Sequence, residues 1–223
     1  MMAKNNIAFV IVSYNSARTL RAAIESCIEA VKVFYPGMGR VIVYDNASKD
    51  KSVQILDDFA RRYPHIFIGK KGETNLGFGV ANNRAVAALP SKTYVLVNPD
   101  VTFKAKIISR LEATLNSQPD IAIVCPKLLY LDKSVQPSIR RFPTFNFLLC
   151  KYLLGEKLQN MLCPFDYYYA SMAPPKKTIE INWAIGAFMM VSGNYVERYG
   201  LFDERFFLYF EDVSLCVDAW QNG

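Results

Sequence analysis

Apolar positions in this chain fall into short unbroken runs, separated by stretches in which they recur every three or four residues. The first run, Ile7-Ala8-Phe9-Val10-Ile11-Val12, has no polar alternation and predicts a strand buried on both faces. It ends at Ser13-Tyr14-Asn15-Ser16. Leu20, Ala23, Ile24, Cys27, Ile28 and Val31 then share one face of a helix, with Asn15 or Ser16 as its N-cap and Pro36, Gly37 and Gly39 beyond its end. Val41-Ile42-Val43-Tyr44 predicts a second strand that stops on Asp45-Asn46-Ala47-Ser48, and Val53, Leu56, Phe59 and Ala60 mark a second helix. Ile66-Phe67-Ile68 predicts a third strand, Val80 to Leu89 an Ala-rich helix, and Tyr94-Val95-Leu96-Val97 a fourth strand cut off by Asn98-Pro99-Asp100. A helix on Ile107, Ile108, Leu111 and Leu115 and a strand over Ile121 to Cys125 follow. This β-α-β-α order predicts an α/β fold with a parallel sheet and right-handed crossovers.

After Leu128 the rhythm changes. Residues 145–178 mix Phe, Tyr and Leu with Lys and end in Pro174-Pro175-Lys176-Lys177. Such a segment suits either a helical lid or oligomer contact packed on the sheet, the preferred reading, or a lipid-interface element. Trp183 to Val191 resumes the core. The chain then reaches Phe202-Asp203-Glu204-Arg205-Phe206-Phe207-Leu208-Tyr209-Phe210-Glu211-Asp212, where aromatic residues surround adjacent acids. Burial there raises a carboxylate toward the range useful to a general base, while the competing reading has Glu211-Asp212 capping a last helix that begins near Val213.

Three strand ends therefore carry polar groups: Ser13 to Asn15, Asp45 to Ser48, and Asn98 to Asp100. In a parallel sheet they share the edge where α/β folds bind ligands. Asp100 either holds a cation that carries phosphates or caps the following helix; beside Asp45 and Glu211-Asp212 the cation reading prevails. An acid at the end of the second strand can accept from a base or ribose, so the edge reads as a nucleotide-diphosphate site. Gly77 and Gly79 are not a dinucleotide fingerprint, because Asn82 stands where the third glycine belongs and no glycine-rich turn follows the first strand. Ser13-Tyr14-Asn15-Ser16-Ala17 likewise lacks the Gly-rich, basic loop that a nucleotidyltransferase uses on a triphosphate.

Composition narrows the chemistry further. With 223 residues and 52% hydrophobic content the chain can bury one substantial core. Its +6 charge is scattered in pairs such as Lys70-Lys71 and Arg140-Arg141, without the stripe that tracks nucleic acid. A single histidine, His65, argues against a Ser-His-Asp hydrolase or a His-ligated zinc site. Five dispersed cysteines read as thiols of a reducing compartment. Without a signal-peptide pattern or an 18-residue apolar run, the expected location is cytoplasmic, with peripheral contact on the inner face of the cell membrane, and the sequon Asn46-Ala47-Ser48 is expected to stay unglycosylated.

The motifs Val10-Ile11-Val12-Ser13-Tyr14-Asn15, Val43-Tyr44-Asp45-Asn46-Ala47-Ser48, Asn75-Leu76-Gly77-Phe78-Gly79, Val97-Asn98-Pro99-Asp100 and Phe202 to Asp212, in this order, resemble family-2 glycosyltransferases, especially the bacterial rhamnosyltransferase-like branch. Arg140-Arg141-Phe142-Pro143 and Trp183-Ala184-Ile185-Gly186-Ala187 resemble that branch's middle segments. The resemblance implies a GT-A fold, a mostly parallel central sheet with helices on both faces. It also implies a single domain, with a nucleotide-binding half over about 1–125 and an acceptor half over about 126–223, shortened at its C-terminus. The implied activity is metal-dependent inverting transfer of a sugar, with rhamnose the suggested one, from a dTDP- or UDP-linked donor to a cell-surface glycan or lipid-linked precursor.

Residue by residue, the resemblance implies that Ser13, Tyr14 and Asn15 line the nucleotide pocket and Asp45 holds the base. Asn75 and Gly77 approach the donor, Trp183 and Gly186 shape the acceptor side, and Asp212, with Glu211 beside it, is the catalytic base. Asp100 is the implied ligand of Mg²⁺ or Mn²⁺; Asn98 replaces the first acid of the common Asp-x-Asp pattern, so weak, readily exchanged metal is expected. Ser214 stands where the branch carries a later acid. A catalytically lapsed nucleotide-sugar-binding module is therefore the alternative reading.

Overall fold

The computed structural model describes residues 5–142 and 178–222. Residues 145–177 of the aromatic, lysine-bearing segment, with Cys150 and Cys163 among them, lie outside the described residues, as does Pro143. Two compact units divide the chain: Met1–Pro126 with Gly186–Gly223, and Lys127–Ile185.

The first unit contains the strands β1 (Asn5–Ser13), β2 (Gly39–Asp45), β3 (Phe67–Lys71), β4 (Ser91–Val97), β5 (Ile123–Val124) and β8 (Phe188–Ser192). Its helices are α1 (Leu20–Phe34), α2 (Ser52–Arg62), α3 (Phe78–Ala88), α4 (Lys106–Leu115), α5 (Gly193–Tyr199) and α6 (Glu211–Asn222). The sheet order is β3-β2-β1-β4-β8-β5. β3, β2, β1 and β4 are parallel, as the β-α repeat requires, while β8 runs antiparallel to β4 and to β5. Right-handed crossovers explain the layering: the chain steps outward from β1 to β2 to β3, which sets α1 and α2 on one face, then returns past β1 to β4, which sets α3 on the other. Phe9, Ile11, Ile42, Leu96, Met189 and Met190 are fully buried between these layers. Phe103, beyond β4, stacks on Phe9 at 6.0 Å and meets Phe188 edge-on at 5.0 Å.

Two local expectations and two competing readings are corrected. The N-cap of α1 is Thr19, because Ser16 instead opens a turn, its carbonyl accepting from the backbone N–H groups of Thr19 and Leu20. Asp100 caps no helix, since α4 begins at Lys106 after Ala105. The strand expected over Ile121 to Cys125 shrinks to the two residues of β5. Finally, α6 starts at Glu211 rather than near Val213, so both acids lie in its first turn, where negative charge suits the helix dipole. Cys27, Cys125 and Cys216 carry thiols rather than disulfides, and among the described residues no helix is long and apolar enough to cross a membrane.

In the second unit β6 (Ile139–Arg140) pairs antiparallel with β7 (Trp183–Ala184). Buried Trp183 donates its indole N–H to the Arg141 carbonyl at 3.1 Å, and the Arg140 guanidinium sits 4.9 Å above its ring.

Candidate active site

Parallel pairing brings the ends of β1 and β2 level, with Ser13 opposite Asp45. Both are buried. Asp45 spends one carboxylate oxygen, Oδ2, on the backbone N–H of Ser48 at 2.9 Å, which shapes the turn after β2. Its other oxygen, Oδ1, and the Ser13 hydroxyl have no hydrogen-bond partner among the described residues. Beyond β1, Tyr14 is half-exposed and Asn15 adopts a left-handed conformation, φ 50°. The Asn15 backbone N–H donates to Ser48 Oγ at 2.8 Å and its Oδ1 accepts from Lys49 N–H at 2.8 Å, so the loops after β1 and β2 are laced together.

Asn46 ties this corner to the loop before α3. It is buried, and its Nδ2 donates to Asn75 Oδ1 at 2.7 Å and to the Gly77 carbonyl at 3.1 Å, while its Oδ1 accepts from Leu76 N–H at 2.8 Å. Asn75 Oδ1 also accepts from Gly77 N–H at 3.0 Å. Gly77 has φ 82° and ψ 174°, a region that only glycine occupies without strain. A Cβ there would lie 2.3 Å from the Phe207 carbonyl oxygen, the same oxygen that accepts from Phe78 N–H at 3.2 Å. Asn83, one turn into α3, binds the Phe202 backbone from both sides, at 2.8 Å and 3.0 Å. The start of α3 thus fixes the stretch that leads into Glu211 and Asp212.

A second tie runs through Gly186-Ala187, the turn before β8. Gly186 N–H donates to Asp212 Oδ2 at 3.1 Å, and the Ala187 carbonyl accepts from Asn98 N–H at 2.9 Å. Asp212 and Asn98, from distant parts of the chain, therefore hang on successive residues. Asp212 Oδ1 accepts from Val213 N–H at 2.9 Å, and these two donors orient its carboxylate. Asp212 is half-buried; Glu211 is only 6% exposed and its Oε2 has no hydrogen-bond partner among the described residues. Burial pushes the Glu211 carboxyl above its usual range, opposed by its own backbone N–H and reinforced by the charge of Asp212.

Buried polar atoms are nearly always paired. Here Ser13 Oγ, Asp45 Oδ1, Asn98 Oδ1 and Glu211 Oε2 are not. The first three stand at the ends of β1, β2 and β4, which are neighbours in the sheet, and the fourth opens α6. Such a concentration of acceptors along one edge suits a ligand rich in N–H and O–H groups. Asp100, two residues past Asn98, is exposed. Among the described residues no three His, Cys, Asp or Glu side chains converge on a metal position. One carboxylate and one amide oxygen nevertheless fit Mg²⁺ or Mn²⁺, which take their remaining positions from phosphate oxygens and water.

The first unit thus holds Ser13, Tyr14, Asn15, Asp45, Asn75, Gly77, Asn98, Asp100, Gly186, Glu211 and Asp212, whereas Trp183 belongs to the second. Sequence reading gave no role to Asn46, which joins the Asp45 motif to the Asn75–Gly79 motif, or to the Phe207 carbonyl, which joins the latter to the Phe202–Asp212 motif. An Asn flanked by Asp45 and Ser48 was the available signal for the first; a backbone carbonyl leaves none.

The sequence profile of glycosyl transferase family 2 matches residues 8–175. Among curated proteins, the N-acetylglucosaminyl-diphospho-decaprenol L-rhamnosyltransferase of Mycobacterium tuberculosis is 28% identical over 194 residues, covering 78% of this chain and 59% of that protein. The rhamnosyltransferase WbbL of Escherichia coli is 26% identical over 189 residues, covering 80% of this chain and 65% of its own length. The chain thus spans less than two thirds of either relative. Among solved structures, S. aureus TarS 1–349 in complex with UDP superposes with a TM-score of 0.63 at 15% identity, over 97% of this chain and 55% of that one. The mannosyltransferase PcManGT from Pyrobaculum calidifontis, in complex with GDP-Man and Mn²⁺, gives 0.61 at 14% identity, over 98% and 52%. At such identities the likeness establishes the fold: this is the GT-A architecture.

Proposed function

The chain belongs to glycosyl transferase family 2, and from that premise we propose that it moves a sugar, with inversion, from a nucleotide-diphosphate donor to a hydroxyl of a cell-surface glycan or lipid-linked precursor. The observation that carries this reading is the row of buried, unpartnered oxygens from Ser13, Asp45 and Asn98, continued by Glu211. Ser13, Tyr14, Asn15 and Asp45 take the nucleoside, with Asp45 Oδ1 accepting from the base or ribose. Asn75 and Gly77 line the donor side, and Gly186 the acceptor side. The names of two relatives favour rhamnose as the sugar and, for one, a diphospho-prenol acceptor.

Asp100, with Asn98, would hold the divalent cation, which when bound offsets charge on the departing diphosphate. Asp212 takes the proton of the acceptor hydroxyl as that oxygen attacks the anomeric carbon. The bond from that carbon to the diphosphate oxygen breaks, and its electron pair leaves with the nucleotide. Asp212 is preferred to Glu211 because it is the more accessible of the two and is aimed by Gly186 and Val213; Glu211, buried and adjacent in sequence, is the positioning neighbour.

A panel of nucleotide sugars, scored for nucleotide release with and without candidate acceptors, tests the reading. With the donor it identifies, Asp212→Asn should bind nucleotide normally and lose transfer by about a hundredfold or more, the scale of general-base assistance. Wild-type turnover in Asp212→Asn would remove the base assignment. Nucleotide binding with no turnover of any donor in the wild type would favour the lapsed module that Ser214 raises.

A further inference from the structure

The second unit carries an ordered hairpin that the transfer reaction leaves unused. Leu129 and Val135 form an antiparallel bridge. Tyr130 N–H donates to the Ser134 carbonyl at 2.9 Å, Lys133 N–H to the Tyr130 carbonyl at 2.9 Å, and Gln136 N–H to the Leu128 carbonyl at 3.0 Å. Lys133 turns the chain with a left-handed φ of 70°. Asp132 Oδ1 accepts from both the backbone N–H and the hydroxyl of Ser134, at 2.9 and 2.6 Å, and those bonds hold its carboxyl below the usual range. Yet the tip of this well-bonded turn is apolar: Leu129 and Tyr130 are about half exposed, Val135 is 44% exposed, and Leu131 is wholly exposed at 104%. Turns normally place small polar residues at such positions.

The charge around the tip indicates what covers it. Lys127 and Lys133 are exposed, two cations against the single acid Asp132 between residues 127 and 136, and that acid is held by Ser134. A second copy docking hairpin to hairpin would bring the two sets of lysines together. An anionic lipid surface meets every feature at once: leucines enter the acyl boundary, the Tyr130 hydroxyl stays at headgroup level, and the lysines lie against the phosphates. We propose that the hairpin Leu128–Gln136 is an interfacial wedge that seats the second unit on an anionic membrane surface. It differs in place from the segment 145–178 and does not depend on the transfer reading.

Cosedimentation of the full chain with vesicles tests it, using phosphatidylcholine alone and phosphatidylcholine with about a third phosphatidylglycerol. The wild type should partition onto the anionic vesicles and far less onto the neutral ones. Leu129→Ser with Leu131→Ser should cut that partitioning roughly tenfold or more, through lost apolar burial. Lys127→Gln and Lys133→Gln should each cut it about fivefold on anionic vesicles only. All four side chains are exposed, so circular dichroism and thermal melts should match the wild type. Leu131→Trp supplies a local reporter: the emission of its added indole, taken as the difference from that of Trp183 and Trp220, should shift to the blue on adding anionic vesicles. Wild-type partitioning by the serine variant, no partitioning by the wild type, or an unmoved difference emission from the Leu131→Trp variant would each overturn the proposal. So would a concentration-dependent dimer abolished by the serine pair, which would identify a second copy as the occupant.

Discussion

Gly77→Ala probes the joint on which the approach to Asp212 rests. Two costs add. The backbone at Gly77, φ 82° and ψ 174°, lies in a region that imposes about 1–3 kcal/mol on a residue with a side chain. The new Cβ would also stand 2.3 Å from the Phe207 carbonyl oxygen, a backbone atom that no rotamer change can clear. Moving it away breaks the Phe78 N–H bond to Phe207, worth about 0.5–1.5 kcal/mol. The loss of folding stability should therefore be about 2–4 kcal/mol, read as a lower urea midpoint at unchanged slope. Because Phe207 leads into Glu211 and Asp212, transfer should fall by more than nucleotide binding. Gly186→Ala is the control: its Cβ would first meet Phe78 Cε1 at 3.3 Å, the end of a side chain that can yield, and should cost no more than about 1 kcal/mol. A Gly77→Ala protein as stable as the wild type, or less affected than Gly186→Ala, would refute the reasoning.

Asn46→Ala removes three hydrogen bonds and strands Leu76 N–H, while Asn75 Oδ1 keeps Gly77 N–H and the Gly77 carbonyl keeps Ala81 N–H; a loss of about 2–3 kcal/mol and faster hydrogen exchange at the Leu76 amide are expected. Asn46→Asp should fare no better, because it turns a carboxylate oxygen toward the Asn75 and Gly77 oxygens. At Glu211 the raised carboxyl pKa means that the folded state holds this proton more tightly than the unfolded chain, so stability falls as pH rises from 4.5 through the raised value. Glu211→Gln should therefore be more stable than the wild type above neutral pH, with the difference vanishing below 4.5 in pH-dependent urea titrations; a constant difference would contradict this.

The sequence made the sheet legible because its strands are buried on both faces. Ile7 to Val12 and Tyr94 to Val97 are apolar without alternation, and each lies inside an observed strand. Element ends were less legible, since they depend on bonds between loops: Asn15 looked like a helix cap, but its side chain is engaged by Lys49 N–H from the neighbouring loop. The strand over Ile121 to Cys125 is short because only Ile123 and Val124 pair with β8. At the site, the motifs ending on Ser13, Asp45 and Asn98 marked the edge, because strand order alone aligns them. No local pattern could show that Asn98 and Asp212 meet at Gly186-Ala187, a junction created by an antiparallel strand inserted late in the chain.

The central claim is that the open oxygens along this edge receive a nucleotide diphosphate whose cation rests on Asp100. Calorimetry of UDP and dTDP binding, with and without Mn²⁺, measures it directly on the wild type, Asp45→Ala and Asp100→Ala. The account predicts binding that Mn²⁺ strengthens but holds loosely, in keeping with the neutral Asn98. Asp45→Ala should weaken binding in both conditions, and Asp100→Ala should abolish only the Mn²⁺-dependent part. Binding of neither nucleotide, or an Asp100→Ala titration with the wild-type response to Mn²⁺, would contradict it.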